Sequence, residues 1–452
     1  MRSLLSYLGI IMVISGAFIS VPALAALILG ELWIAKYFIA PASISMGLGY
    51  YLQRRKREEL DLRTAFILCA VAWLLAALIG SIPYIFSLKI SFLDAYFETM
   101  SGFTTTGITV LTPSELPRTI IFWRSLTEWI GGVGIVLVFL AIMAPTTIAS
   151  KLYIAEARTE RIEPSILRTT YSIFYIYLYF TLLGVLALYL AGAPVFDAVN
   201  HALTSLPTGG FSPHDNSYAD MSPLLKVITM ILMLCGGISF AIHQRWLSKD
   251  FRSLYTSLEV RALVAIVILF SLLLHLDGMP SIDAFFQGIS ALTTSGFASI
   301  DVSSLSDLSK CYLIILMNIG GGYGATASGI KLMRFVVVIK AVEWFIKRIT
   351  SPTRAIIPFK VQSKVFTEEE VFTTLLFCLL YISFLIPSIL IFVKLGHSFM
   401  DSVFMISSAQ GNNGLVTLTT YTSIEKVIMI FHMWIGRLEI IPVLVLLTSF
   451  RR

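Results

Sequence analysis

The chain has 452 residues, of which 57% are hydrophobic and only 13% charged, with a formal net charge of +6. Its mean hydropathy of +0.84 excludes a water-soluble domain of this length, and the small basic excess reads as a membrane-topology signal, not a nucleic-acid footprint. Cys69, Cys235, Cys311 and Cys378 all fall in apolar stretches without metal-ligand spacing, which argues against disulfides and zinc.

Taken in chain order, apolar stretches at 4–30 and 33–52 predict two membrane crossings, the first too long for a signal peptide and without a clear small-x-small cleavage site before the next span, so it reads as retained. A third crossing is predicted at 64–86. A shorter amphiphilic segment, DAYFETMSGFTTTG, then runs from Asp94 to Gly107, and a further crossing follows at 120–144. The same unit returns three times. Crossings at 171–190 and 224–242 flank DAVNHALTSLPTGG (Asp197 to Gly210), those at 260–276 and 312–345 flank DAFFQGISALTTSG (Asp283 to Gly296), and those at 371–393 and 427–450 flank DSVFMISSAQGNNG (Asp401 to Gly414). In every copy Asp and Gly are thirteen residues apart without a gap, and an apolar residue follows: Ile108, Phe211, Phe297 or Leu415. The Asp positions are 103, 86 and 118 residues apart, too far for a solenoid unit and right for two crossings plus loops.

About nine helical residues at ~1.5 Å rise cover only half of a ~30 Å hydrocarbon core, so each short segment must re-enter. Irregular backbone at that depth is tolerated only where it lines a cavity or is buried in protein. The expected fold is therefore an all-α polytopic membrane protein with ten crossings. Two extra transmembrane helices occupy 1–63, and four repeats (64–150, 151–255, 256–365 and 366–452) each contribute helix, re-entrant pore helix, extended strand and helix around one central pore.

Basic residues set the orientation. Arg54, Arg55, Lys56, Arg57 and Arg63 share one loop and Lys151, Arg158, Arg161 and Arg168 another, so both loops belong in the cytoplasm. Arg245, Lys249, Arg252 and Arg261, and the cluster Lys340, Lys347, Arg348, Arg354, Lys360 and Lys364, fall on the same side. Both termini are then cytoplasmic and the tetrapeptides open outward.

The four tetrapeptides are Thr104, Thr105, Thr106, Gly107; Pro207, Thr208, Gly209, Gly210; Thr293, Thr294, Ser295, Gly296; and Gly411, Asn412, Asn413, Gly414. Four extended strands of small residues present carbonyl oxygens to a shared axis and can replace the hydration shell of a monovalent cation. Glycine permits the dihedrals that turn its carbonyl inward, and each half helix aims its partly negative C-terminal end at the same axis. The four Asp residues read as N-caps of the half helices, the alternative being a direct role in attracting cations.

Two intramembrane features stand apart. Gly320, Gly321, Gly322, Gly324, Ala325, Ala327, Ser328 and Gly329 interrupt what should be a spanning helix. Gly322, Gly324 and Ala327 match a GxGxxA dinucleotide fingerprint, but no βα unit surrounds them. Arg437 places a charge among apolar residues, which costs at least ~2.5 kcal/mol unless it is paired or wet; Glu439, at i+2, points elsewhere on a helix. Lys331 either belongs with the small-residue run or snorkels to the cytoplasmic interface. Arg124 and Glu128, at i and i+4, are placed to pair with each other, and His432 is a candidate for tuning pH dependence. No catalytic constellation appears, so an enzyme is not expected.

These residues carry a family resemblance. SGFTTTG (Ser101 to Gly107), PTGGFS (Pro207 to Ser212), LTTSGF (Leu292 to Phe297), MNIGGGYGATASGIKLMR (Met317 to Arg334) and MWIGRLEI (Met433 to Ile440) make the whole chain resemble the TrkH/KtrB group of potassium translocation subunits, related to the plant HKT transporters. The two N-terminal spans resemble the additional helix pair of the TrkH branch. Pro207 departs from the Ser often found there, and GNNG is the most divergent copy.

The resemblance implies K⁺ as the transported ion, with the four tetrapeptides as its selectivity filter and no cofactor in this chain. It implies a gate beneath the filter formed by Gly320, Gly321, Gly322, Gly324, Gly329, Lys331 and the pore-facing Arg437. It also implies residence in the cytoplasmic membrane, a homodimer, and a cytoplasmic TrkA-type nucleotide-binding regulatory subunit on the basic inner face. Two functional readings follow, a gated channel-like uptake pore and a secondary transporter coupled to H⁺ or Na⁺; four same-direction repeats around one axis favour the pore.

Overall fold

The computed structural model describes residues 2–54, 61–134, 166–352, 355, 357–362 and 364–449. Arg55, Lys56, Arg57, Lys151, Arg158, Arg161 and Arg354, together with the inner part of the crossing expected at 120–144, lie outside the described residues.

The first two helices, α1 (Arg2–Ile28) and α2 (Leu32–Gln53), form a close antiparallel pair. Gly9 and Gly49 let the backbones meet: a Cβ on Gly9 would lie 2.7 Å from the Gly49 carbonyl oxygen. Ser45 adds a 2.7 Å bond to the Met12 carbonyl. Small residues and interhelical hydroxyl bonds are how helices associate where lipid removes the hydrophobic drive.

Repeat one consists of α3 (Leu62–Leu88), the half helix α4 (Phe92–Phe103) and α5 (Arg118–Val133). Repeat two follows with α6 (Ile166–Leu190), α7 (Val195–Ser205), α8 (Pro223–Gly237), α9 (Phe240–Leu247) and the short α10 (Arg252–Thr256). Repeat three has α11 (Leu258–Leu276), α12 (Ser281–Leu292), α13 (Asp307–Ile319) and α14 (Leu332–Thr350). An antiparallel hairpin, β1 (Phe359–Val361) with β2 (Lys364–Phe366), leads into repeat four: α15 (Glu368–Lys394), α16 (Phe399–Gln410), α17 (Ser423–Arg437) and α18 (Ile441–Ser449).

The half helices are 11 or 12 residues long, as the hydrocarbon-depth argument requires. Their aspartates, expected as N-caps, sit instead three residues inside. The caps are Ser91, Pro194, Pro280 and Ser398. Ser91 accepts from the Asp94 amide at 3.1 Å and donates to the Asp94 carboxylate at 2.8 Å, and Ser398 and Asp401 repeat the exchange at 3.0 and 2.7 Å. A carboxylate in the first turn still complements the positive helix end.

The second crossing of each repeat also differs from expectation. Each was read as one continuous helix except in repeat three, yet all four break at the same register. The helices end at Val133, Gly237, Ile319 and Arg437. The chain then turns by 105° between α8 and α9 and by 113° between α17 and α18. Five described helices are long and apolar enough to cross a membrane by themselves, or seven if each bent pair counts as one span. Counted from its start, the fourteenth residue of each second helix, or the one just past its end in α13, is glycine: Gly131, Gly236, Gly320 and Gly436. The next residue is Gly132, Gly237 or Gly321 in the first three repeats, and Arg437 in the fourth. A Cβ on Gly131, Gly236 or Gly436 would lie 2.0–2.2 Å from the carbonyl oxygen of Phe103, Leu206 or Gln410, at the end of that repeat's half helix.

Candidate ion pathway

All four half helices end in the same backbone figure. The second tetrapeptide residue is left-handed in every copy: Thr105, Thr208, Thr294 and Asn412 have φ between 49° and 59°. The third residue sends its amide back to the half helix, Thr106 to Ser101, Gly209 to Thr204, Ser295 to Ser290 and Asn413 to Ser408, at 2.8–2.9 Å. This is a helix C-cap of the Schellman kind with Thr or Asn where glycine is usual. A β-branched residue held at positive φ is strained, and strain of order 1–3 kcal/mol survives only where surroundings over-determine it.

The fourth residue closes a ring. Gly107, Gly210, Gly296 and Gly414 all have positive φ, from 76° to 95°. A Cβ on Gly107 would stand 2.2 Å from the Gly209 carbonyl oxygen, on Gly210 2.4 Å from that of Ser295, on Gly296 1.8 Å from that of Asn413, and on Gly414 2.1 Å from that of Thr106. Each repeat abuts the next, and the fourth returns to the first. The four sequence-predicted tetrapeptides are therefore brought together around one axis, with glycine required by both dihedral and space.

On its outer side, meaning the side of the half-helix N-termini, the ring is fastened by ion pairs between repeats. Lys226 of α8 reaches Asp283 of α12 at 2.9 Å, Lys310 of α13 reaches Asp401 of α16 at 3.3 Å, and Lys426 of α17 bonds Asp94 of α4. Each lysine is the fourth residue of its helix. In α5 that place belongs to Ile121, and Asp197 of α7 pairs instead with His214 at 3.0 Å. The same seam holds a buried charge cluster. The expected Arg124–Glu128 pair does not form among the described residues. Arg124 bonds Glu98 of α4 at 2.7 Å and the Ser212 carbonyl at 3.3 Å, while Glu128 accepts from the Phe211 amide at 3.1 Å. An i, i+4 pair on one helix yields here to a carboxylate presented by a neighbouring half helix.

Against the ring, residues 320–331 fold as an irregular segment, with positive φ at Gly320, Gly324, Gly329 and Lys331. Its backbone is satisfied by the broken end of α8: the Gly322 amide bonds the Gly237 carbonyl at 2.9 Å and the Thr326 amide bonds that of Gly236 at 3.1 Å. Gly321 packs on Gly237, and a Cβ on Gly322 would strike the buried Glu259 carboxylate. Lys331 does not snorkel; it is buried and its ammonium donates to the Ala327 carbonyl.

Arg437 joins this segment to the ring. Its guanidinium donates to the Thr326 carbonyl at 2.9 Å, the Thr105 hydroxyl at 3.1 Å and the carbonyls of Gly131 and Gly132. The helix ends at Arg437, so the i+2 helical spacing expected for Glu439 does not apply; Glu439 sits at positive φ and pairs with Arg334. Three of the four left-handed threonine or asparagine side chains touch the segment or its arginine: Thr105 bonds Arg437, Thr208 bonds Thr326 at 3.3 Å, and Thr294 accepts from the Ser328 amide at 2.9 Å. A cavity of about 40 Å³ borders the segment, lined by Trp73, Thr326, Ser328, Lys331, Arg437 and Glu439 among others. His432 is buried behind the fourth strand between Gln410 at 2.8 Å and Ser388 at 2.7 Å, which gives it a structural place.

The sequence reading missed Glu98, Thr326 and the three ring lysines. A Lys at the fourth position of three second helices was the available signal for the last; nothing local marks Thr326.

Fold and ring together define a helical membrane protein of four pore-loop repeats preceded by two extra helices. The family described as TrkH, cation transport protein, matches residues 34–450, and the chain belongs to it. An uncharacterized cation transporter of Methanocaldococcus jannaschii is 40% identical over 99% of this chain and 95% of its own length. The Trk system potassium uptake protein TrkH of Escherichia coli is 29% identical over 99% of this chain and 98% of its own. The crystal structure of the potassium transporter TrkH from Vibrio parahaemolyticus superposes with a TM-score of 0.88 at 27% identity, covering 100% of this chain and 99% of that one. Membership places the chain among transport proteins and not enzymes.

Proposed function

We propose that the chain takes up K⁺ through a gated, channel-like pore in the cytoplasmic membrane, with the four tetrapeptides as selectivity filter and residues 320–331 with Arg437 as the gate. The observation that carries this reading is the cyclic contact of each fourth-position glycine with the next strand's third-position carbonyl. Carbonyl dipoles held at that spacing replace a monovalent cation's water without a formal charge in the filter. Arg437 supports a barrier role: a fixed cation under the filter opposes ion occupancy while the Thr326 and Gly131 carbonyls hold it there.

Conduction then requires residues 320–331 to leave the axis, which breaks the Thr208–Thr326 and Thr294–Ser328 bonds and frees Arg437 from Thr326. The names of Trk-system relatives support a membrane component of a Trk system; the resemblance adds a TrkA-type nucleotide-binding subunit on a cytoplasmic face that carries both termini, and a homodimeric pore subunit.

Cation flux into proteoliposomes of the purified chain, comparing K⁺, Rb⁺, Cs⁺ and Na⁺ without an imposed gradient of pH or Na⁺, tests the pore. Passive flux favouring K⁺ and Rb⁺ is expected. Flux only with an imposed H⁺ or Na⁺ gradient would establish the coupled transporter instead. Gly107→Ser is expected to weaken K⁺ over Na⁺ discrimination, and unchanged discrimination would remove Gly107 from the filter.

A further inference from the structure

Gly209 is the one third-position filter residue without a side chain; the others are Thr106, Ser295 and Asn413. Its backbone does not demand glycine, because it is absent from the positive-φ residues that include its neighbour Gly210. What excludes a side chain is Glu128: a Cβ on Gly209 would stand 2.3 Å from the Glu128 carboxyl carbon. Glu128 is itself an exception. It is the eleventh residue of its second helix, and the corresponding residues of the other three are Met233, Met317 and Met433. Two departures from the fourfold pattern therefore meet at one place, and each fills the room the other leaves.

The fourth repeat shows what the missing side chain does. Asn413 uses its own Oδ1 to accept from the Leu415 amide at 3.3 Å, two residues on. In the second repeat the equivalent amide is that of Phe211, and it donates to both Glu128 carboxylate oxygens at 3.1 and 3.2 Å. In a trans peptide the N–H and the preceding C=O point in opposite directions. Anchoring the Phe211 amide toward α5 thus turns the Gly210 carbonyl away from α5, toward the axis.

We propose that Glu128 is a specificity-determining positioning residue: from repeat one it supplies the acceptor that Asn413 supplies within repeat four, and so orients the Gly210 carbonyl in the filter. Its work is that of a hydrogen-bond acceptor of fitting length. The inference rests on the filter reading above.

The test is the Rb⁺/Na⁺ flux ratio in proteoliposomes for the full chain and five variants. Glu128→Met, which installs the residue of the other repeats, is expected to lower the ratio at least fivefold. Glu128→Met combined with Gly209→Asn copies the Met317 and Asn413 pairing, and is expected to restore the ratio to within twofold of the parent. Gly209→Asn alone, clashing with Glu128, is expected to lower it at least fivefold. Glu128→Gln keeps an acceptor oxygen and is expected to stay within twofold. A Glu128→Met ratio within twofold of the parent, a double variant no better than Glu128→Met, or a Glu128→Gln loss as large as that of Glu128→Met would each overturn the proposal. If Glu128→Met does not give folded protein, Glu128→Gln and the double variant decide it against the parent: a ratio more than twofold below the parent's in either one overturns the proposal. Gly107→Ser separates the two readings: a changed ratio there with an unchanged one in Glu128→Met defeats only the role of Glu128, whereas no change in either defeats the filter.

Discussion

The outer and inner halves of this protein obey different rules. Outside, four half helices end in one backbone figure, four glycines repeat one contact, and three of four seams carry the same Lys–Asp pair. Inside, beyond the common glycine of each second helix, the repeats part company. One turns by 105°, one by 113°, one gives way to residues 320–331, and only the fourth places an arginine where the others have glycine. Coordinating one spherical ion rewards symmetry. On the proposed function, obstructing a pore with one segment requires that symmetry be broken, and the change comes just after the shared fourteenth-position glycine.

The comparison breaks most visibly if an outer glycine can be replaced. Gly296→Ala puts a methyl 1.8 Å from the Asn413 carbonyl oxygen at positive φ, so K⁺ over Na⁺ selectivity should fall by more than tenfold in flux measurements. Retained selectivity would mean that the ring is not the coordinating element. The inner half should respond in the opposite sense: Arg437→Ala removes the bond to Thr326 and a positive charge under the ring, so cation flux should rise severalfold with selectivity changed by less than twofold. A fall in flux from folded protein would assign Arg437 to assembly instead.

Smaller effects sharpen the outer pattern. Lys226→Met strands the largely buried Asp283, and loss of one partner from such a pair costs about 3 kcal/mol, to be read as lower thermal stability in detergent. No loss would show that the pair contributes little to the seam. The exceptional seam should be the pH-sensitive one. The Asp197 hydrogen bond raises the His214 pKa above its usual value, so the stabilisation is fully present below the unfolded histidine pKa of about 6.5 and is lost as pH rises through the higher folded value. His214→Asn should flatten the pH dependence of thermal stability in that window; an unaltered profile would exclude this pair as its origin.

Much of the outer half was legible. An Asp–Gly register kept four times in apolar sequence located the half helices and the ring members, because short polar segments at hydrocarbon depth have few structural solutions; the tetrapeptides were read as extended, and their left-handed second residue was not legible. The aspartates were placed three residues out, since Pro194 and Pro280 give no capping side chain to read and Asp94 bonds back to its own cap. Arg124 and Glu128 were paired wrongly because helical spacing ignores Glu98, which only the packing of α4 brings near. The breaks in the second helices were hidden for a different reason. Gly131–Gly132 and Gly236–Gly237 look like ordinary close-packing glycines until their contacts with the half-helix ends are known.

The glycine ring also has an order in time. Its first three contacts join neighbours in the chain, but the last joins the fourth repeat to the first, where Asn412 bonds Thr106 across 306 residues of sequence. During synthesis the Thr106 carbonyl therefore waits without its partner until the final repeat emerges. The left-handed threonines have no complete surroundings to hold them before that moment, so the ring of a nascent or C-terminally truncated chain is open on one side.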